Sequence, residues 1–206
     1  MSKETTFAFS PENEARARDI IKRYPPGKQQ SAVMPLLDLA QRQIGAETGT
    51  QGWLPVPAIE YVARFLDMPY MRAYEVATFY TMYNLKPVGK HHVQLCGTTP
   101  CMLRGAGEVM RACKDAGLEK GKTTADGVFT LSEVECLGAC VNAPVVQIND
   151  DYYEDLSYET TRRILEELRA GKAPKPGSQA DRQFSAPAGG PTTLKDAAMG
   201  KDKVKA

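Results

Sequence analysis

Four of the five cysteines in this 206-residue chain fall into two close pairs. Cys96 and Cys101 are separated by the four residues Gly97-Thr98-Thr99-Pro100, and Cys136 and Cys140 by the three residues Leu137-Gly138-Ala139. Each pair encloses a glycine, as loops that bind a metal or cluster often do, and the two pairs are expected to form one site in space. Three chemistries compete. Four thiolates can hold a [2Fe–2S] cluster, hold a structural zinc, or form two disulfides in an oxidising compartment. Zinc ribbons and knuckles mostly place two residues between paired cysteines, and neither pair here does. A spacing of four is nearer the opening of plant-type ferredoxins. The stretch Met1 to Phe9 is polar and has no signal-peptide apolar run. The fifth cysteine, Cys113, would also be left over in a disulfide scheme. Spacing therefore ranks the cluster first, zinc second and disulfides last.

Charge gives the glycines a task. Two ferric ions, two sulfides and four thiolates sum to a dianion, and reduction adds more negative charge. Backbone N–H groups aimed at sulfur stabilise that charge. Gly97 and Gly138 are expected to let the backbone approach closely and to take positive φ. The segment after Cys101 reads as a helix, whose N-terminus would turn a partial positive charge toward the site.

The elements that must position these residues can be read from periodicity. Residues 10–83 read as helices. Ser10-Pro11-Glu12 starts the first. A second follows Ser31, with Val33, Leu36, Leu37, Ala40 and Ile44 at helical spacing and Gly45 as its stop. A third begins near Pro57 with Ile59, Val62, Ala63 and Leu66 on one face. A fourth runs from Pro69 to Tyr80, its aromatic residues suited first to a core and then to a partner. The last two resemble a helix-turn-helix in outline, but Arg72 is the only cation on the second and Glu75 offsets it. Phosphate contacts need clustered Lys or Arg, so nucleic acid is not expected as a partner.

After Lys86-Pro87-Val88-Gly89 the period changes. His91 to Leu95 reads as an exposed strand start leading into the first cysteine loop. Residues 102–116 read as one helix with Met102, Ala106, Val109, Cys113 and Ala116 in a stripe. That stripe makes Cys113 a small core hydrophobe and leaves it out of the ligand set. Gly105-Ala106-Gly107-Glu108-Val109-Met110 approaches a dinucleotide fingerprint but lacks the third glycine, so Gly105 and Gly107 read as helix-packing residues. Strands follow over Val128–Leu131, Pro144–Ile148 and from Tyr152, with Asn149-Asp150-Asp151 as a turn. Ser157 opens a final helix that Gly171 stops. Strand, helix, three strands and helix make a small layer like a thioredoxin fold.

Formal net charge is +1 and hydrophobic content 42%. No global field points to nucleic acid or membrane, and no apolar run approaches the roughly 18 residues of a span. Residues 172–206 carry seven Lys or Arg against three Asp, with four Pro and little apolar surface. Such a segment reads as a disordered basic tail. The expected organisation is α+β. A helical bundle spans 1–88, a thioredoxin-like domain binding the cluster spans 89–171, and the tail spans 172–206.

Four segments together carry a family resemblance: Val76–Tyr80, Cys96–Cys101, Gly127–Leu131 and Glu135–Pro144. They resemble the small thioredoxin-like [2Fe–2S] subunit of NADH:quinone oxidoreductase, respiratory complex I. The resemblance spans residues 10–170 and excludes the tail. It implies one [2Fe–2S] cluster on Cys96, Cys101, Cys136 and Cys140. It also implies a partner subunit that carries flavin mononucleotide (FMN) and the NADH site, with a further iron–sulfur neighbour. The chain itself would store single electrons and have no NADH site. Its place would be the cytoplasmic side of a bacterial inner membrane, or the mitochondrial matrix side, attached only through the complex. The equivalent subunit of an NAD-linked hydrogenase or formate dehydrogenase is the nearest alternative, and a structural zinc module the alternative from another class.

Overall fold

Residues 6–187, 189, 190, 192 and 193 are described by the computed structural model. The chain divides into two units, Met1–His91 and His92–Ala206.

In the first unit, Ser10 caps helix α1 (Pro11–Ile21) by accepting the Asn13 N–H at 3.2 Å. Pro11 sits where no N–H is needed, and Glu12 and Glu14 meet the positive helix end. A 3₁₀ turn over Gln29–Ala32 leads into α2 (Val33–Thr48). Gly45 does not stop this helix. It continues to Thr48, and Gly49 ends it with φ 68°. Gly45 serves close approach instead, since a Cβ there would lie 2.9 Å from the Thr50 carbonyl oxygen. Helices α3 (Val56–Phe65) and α4 (Tyr70–Phe79) complete the unit. Leu36, Leu37 and Ala40 of α2 share a core with Ala58, Ile59 and Val62 of α3. From α4 the buried residues are Ala73 and Ala77, whereas Phe79 is 77% exposed. The aromatic residues of α4 thus fill less of the core than their type suggested.

Two buried glutamines of α2 have no counterpart in an apolar pattern. Gln43 accepts from the Ser10 N–H and Asn13 Nδ2 and donates to the Ala8 carbonyl. Gln41 donates to the Met82 carbonyl and accepts from the Asn84 N–H. Each satisfies backbone groups of irregular chain that would otherwise be buried without partners.

The second unit is built on a five-stranded sheet in the order β2-β1-β3-β4-β5. Its strands are β1 (His91–Cys96), β2 (Phe129–Val134), β3 (Val146–Ile148), β4 (Asp151–Glu154) and β5 (Gly177–Ser178). β1 runs antiparallel to β3 with Val93 opposite Ile148 and Leu95 opposite Val146. β3 and β4 form a hairpin around Asn149, whose φ of 58° fits an asparagine turn. The helix expected over 102–116 is two: α5 (Thr99–Leu103) and α6 (Ala106–Asp115). Gly105, at φ 110°, breaks them, and neither it nor Gly107 has a neighbour within 4 Å of a built Cβ. They are therefore not packing glycines, and Met102 is 60% exposed rather than on a core stripe. Val109 and Cys113 of α6 pack with Ile164, Leu165 and Leu168 of α7 (Tyr158–Arg169) against Val93, Leu95 and Phe129. Ser157 opens α7 with a capping box to Thr160.

The reading of 172–206 as a free tail fails for its first part. β5 pairs in parallel with β4, and Tyr153 Oη donates to the Pro174 carbonyl at 3.3 Å. Backbone pairing and buried polar contacts order this stretch despite its poor apolar content. The remainder of that expected tail, at 188, 191 and 194–206, lies outside the described residues.

Candidate functional site

Cys96 is the last residue of β1, and Cys101 lies in the first turn of α5, which Thr98 precedes. Both are 1% exposed. Cys136 follows β2 in an exposed loop, and Cys140 begins a 3₁₀ turn, Cys140–Asn142, and is half-buried. The Cys136 and Cys140 sulfurs are 3.4 Å apart. The backbone of Leu137, inside the second pair's loop, hydrogen-bonds Cys96, and Cys140 lies near enough to Cys96 and Cys101 for their charges to be felt. The two pairs, far apart in sequence, therefore meet at one place. Among the described residues no three His, Cys, Asp or Glu side chains are grouped to hold a single metal ion.

Backbone N–H groups surround the sulfurs. The Gly138 N–H donates to Cys136 Sγ at 3.4 Å. Burial pushes the Cys96 thiol up, but the Thr98 hydroxyl at 3.2 Å and the Thr98 and Leu137 backbone outweigh it, so Cys96 lies below the ordinary thiol range. Burial, then the hydrogen bond with Cys96, pushes Cys101 up to about 11, against an opposing contribution from the Val145 backbone. The hydrogen bond with Cys136 raises Cys140, followed by burial and the neighbouring sulfur charge. Thiols crowded like this cannot all ionise without cations among them. Four sulfurs with N–H donors fit an iron–sulfur cluster, which supplies that positive charge and leaves a modest net negative charge for the donors.

Gly138 takes the expected positive φ, 82°. Gly97 does not. A Cβ at Gly97 would instead strike the Glu133 side chain, which reaches across it and pairs with Lys120. The expected helix end is also nearer than foreseen, because α5 begins before Cys101 rather than after it.

Residues 17–169 match a protein family described as thioredoxin-like [2Fe-2S] ferredoxin. The chain belongs to that family. Within the thioredoxin-like [2Fe-2S] ferredoxins it is 62% identical to a subunit of the NADH-quinone oxidoreductase of Rickettsia bellii, over 82% of this chain and 98% of that protein. It is 46% identical to the mitochondrial NADH dehydrogenase [ubiquinone] flavoprotein 2 of Dictyostelium discoideum, over 97% of this chain and 78% of that one. Among solved structures, an NAD+-reducing [NiFe]-hydrogenase in the air-oxidized state shares the fold at TM-score 0.55 and 17% identity. That likeness covers 68% of this chain and 23% of the hydrogenase chain.

Of the two histidines, His92 is held within the sheet. His92 is not an exposed strand start but 8% exposed, with Nε2 2.9 Å from Ser132 Oγ. Burial pushes its ring down to about 4. Cys113 has no exposed surface, and burial pushes it up to about 12. Sequence reading missed the polar group beneath the second cysteine loop. Asn142 is 4% exposed and donates to Glu154 at 2.5 Å, while Arg182 pairs with Asp155. The one signal was an Asn two residues after a cysteine, inside an otherwise apolar segment. A cavity of about 670 Å³ adjoins this group, lined by Gly138, Asn142, Glu154, Lys175 and Arg182.

Proposed function

We propose that this chain is the electron-carrier subunit of the NADH-dehydrogenase module of an NADH:quinone oxidoreductase. Cys96, Cys101, Cys136 and Cys140 hold its [2Fe–2S] cluster. The observation that carries the reading is the meeting of two cysteine pairs at one place lined by backbone N–H groups. The names of the Rickettsia and Dictyostelium relatives support the complex. When bound, such a cluster supplies one-electron storage. The residues of the chain do the rest. Buried Cys96 and Cys101 keep water from one side of the site, and the Thr98, Leu137, Gly138 and Val145 backbone stabilises sulfur charge. Exposed Cys136 offers the other side to a partner. A hydride carries two electrons and cannot pass directly to a one-electron carrier, so a flavin must divide them. The partner is accordingly a subunit carrying FMN and the NADH site, with its iron–sulfur neighbour. Among the described residues no helix is long and apolar enough to cross a membrane. Attachment at the cytoplasmic side of a bacterial inner membrane, or the matrix side in an organelle, runs through the complex.

The test mixes purified chain anaerobically with NADH, with and without the flavin subunit, and follows cluster reduction by EPR. Reduction is expected only with the flavin subunit. Rapid reduction by NADH alone would overturn the assignment.

A further inference from the structure

The turn that begins with Cys140 is gripped by the segment after the last helix. Arg182 and Asp155 form an ion pair at 2.9 Å with side chains only 13% and 9% exposed, so salt screens it little. The same Arg182 Nη1 donates to the Val141 carbonyl at 3.2 Å, while Nε and Nη2 donate to the Ala186 carbonyl at 3.0 and 2.8 Å. Asp155 also accepts from the Ser178 hydroxyl at 2.6 Å, and its N–H donates to the Asn142 carbonyl at 2.7 Å. Asn142 Nδ2 in turn donates to the Phe184 carbonyl at 2.9 Å. Val141 and Asn142 are the two residues that follow Cys140 in its three-residue turn. No strand or long helix carries Cys136 or Cys140, whereas Cys96 ends the interior strand β1. The second pair thus depends on contacts from outside its loop, and on the Cys140 turn these come from Asp155, Arg182 and Phe184, with Ser178 bonding Asp155 in support.

We infer that residues 177–186 form a clasp on the Cys140 turn, with Arg182 as the positioning residue that sets how firmly a cluster is retained. A planar fork suits this role, because it can bind a carboxylate and two carbonyls at once. The iron-retention half of the inference rests on the four-cysteine reading proposed above, and the thiol half rests on the chain alone.

The experiment uses the full chain and two readouts in Arg182→Gln. The first is the rate at which a chelator bleaches the iron–sulfur absorption. The second is the rate at which iodoacetamide labels each cysteine of the iron-free chain, read by mass spectrometry. Bleaching is expected to be roughly tenfold faster or more, as for other residues that orient metal ligands. Cys140 labelling should rise several-fold while buried Cys113 stays protected, and Arg182→Lys should restore part of both. If Arg182→Gln fails to fold, Arg182→Gln with Asp155→Asn removes the unpaired buried carboxylate and is read in the same way. Unchanged bleaching with unchanged Cys140 labelling would overturn the clasp. So would Cys113 labelling that rises alongside Cys140, which marks general loosening, or failure of both variants to fold. If the unaltered chain takes up no iron, the four-cysteine reading fails, and Cys140 labelling still decides the clasp.

Discussion

Cys113 sits twelve residues beyond Cys101 yet has no exposed surface, and with its thiol pushed up to about 12 it is neutral at ordinary pH. It packs as a small apolar side chain. Cys113→Ala is expected to keep full iron content and visible absorption and to lose about 1 kcal/mol in denaturant melts. Bleaching in a folded variant would place Cys113 among the ligands. His92 yields a pH dependence. Its folded value is about 4, pushed down by burial from 6.5. Between those values the unfolded chain binds the proton and the folded chain does not, so stability is complete above 6.5 and falls as pH drops through the window. The loss at the foot is about 3 kcal/mol. His92→Gln should flatten the slope between pH 7 and 4.5 in urea melts, and an unchanged slope would contradict it. The cysteine pairs were legible because ligand chemistry lies in residue type and spacing. The burial of His92 was not, since alternation along β1 gives two faces without saying that β2 and β3 enclose the strand on either side.

Helix starts were legible from local chemistry, as at Ser10 and Ser157, where a hydroxyl must meet an unpaired N–H nearby. Helix stops were less so. Gly45 and Gly105 look alike in sequence, yet the first lies inside α2 and the second breaks α5 from α6. What separates them is tertiary: Gly45 meets the backbone of Thr50 and Gln51, whereas Gly105 meets nothing. Gly45→Ala is the sharp case. Helix propensity alone predicts a gain of about 1 kcal/mol. A Cβ 2.9 Å from a backbone oxygen and 3.1 Å from Gln51 C reverses the sign. The expected result is a loss of about 1–3 kcal/mol, as for overpacked cores. A melt showing Gly45→Ala at or above wild-type stability would mean that the following loop yields freely. The same limit hid the strand at Gly177–Ser178. A two-residue strand has no periodicity, and its order comes from β4 and from Arg182, both chosen by the fold rather than by neighbours in sequence.

At the scale of the molecule, the sequence announces its two-part plan by a change of period after the first eighty residues, from helical spacing to strand, helix and hairpin. Each part has its own core, one centred on α2 and α3 and the other on the sheet with α6 and α7. The residues that hold polar loops in place, Gln41, Gln43, Asn142 and Arg182, are scattered, and only assembled backbone reveals their partners. The function proposed for the whole depends on one claim, that the four cysteines of the second unit hold a binuclear cluster. Anaerobically purified chain, assayed for iron, sulfide and zinc and reduced for EPR, tests it most directly. About two iron and two sulfide per chain are expected, with a signal from one unpaired electron on reduction. Serine at any of Cys96, Cys101, Cys136 or Cys140 should alter or abolish that signal. Stoichiometric zinc without iron, or an unaltered signal in all four variants, would contradict the account.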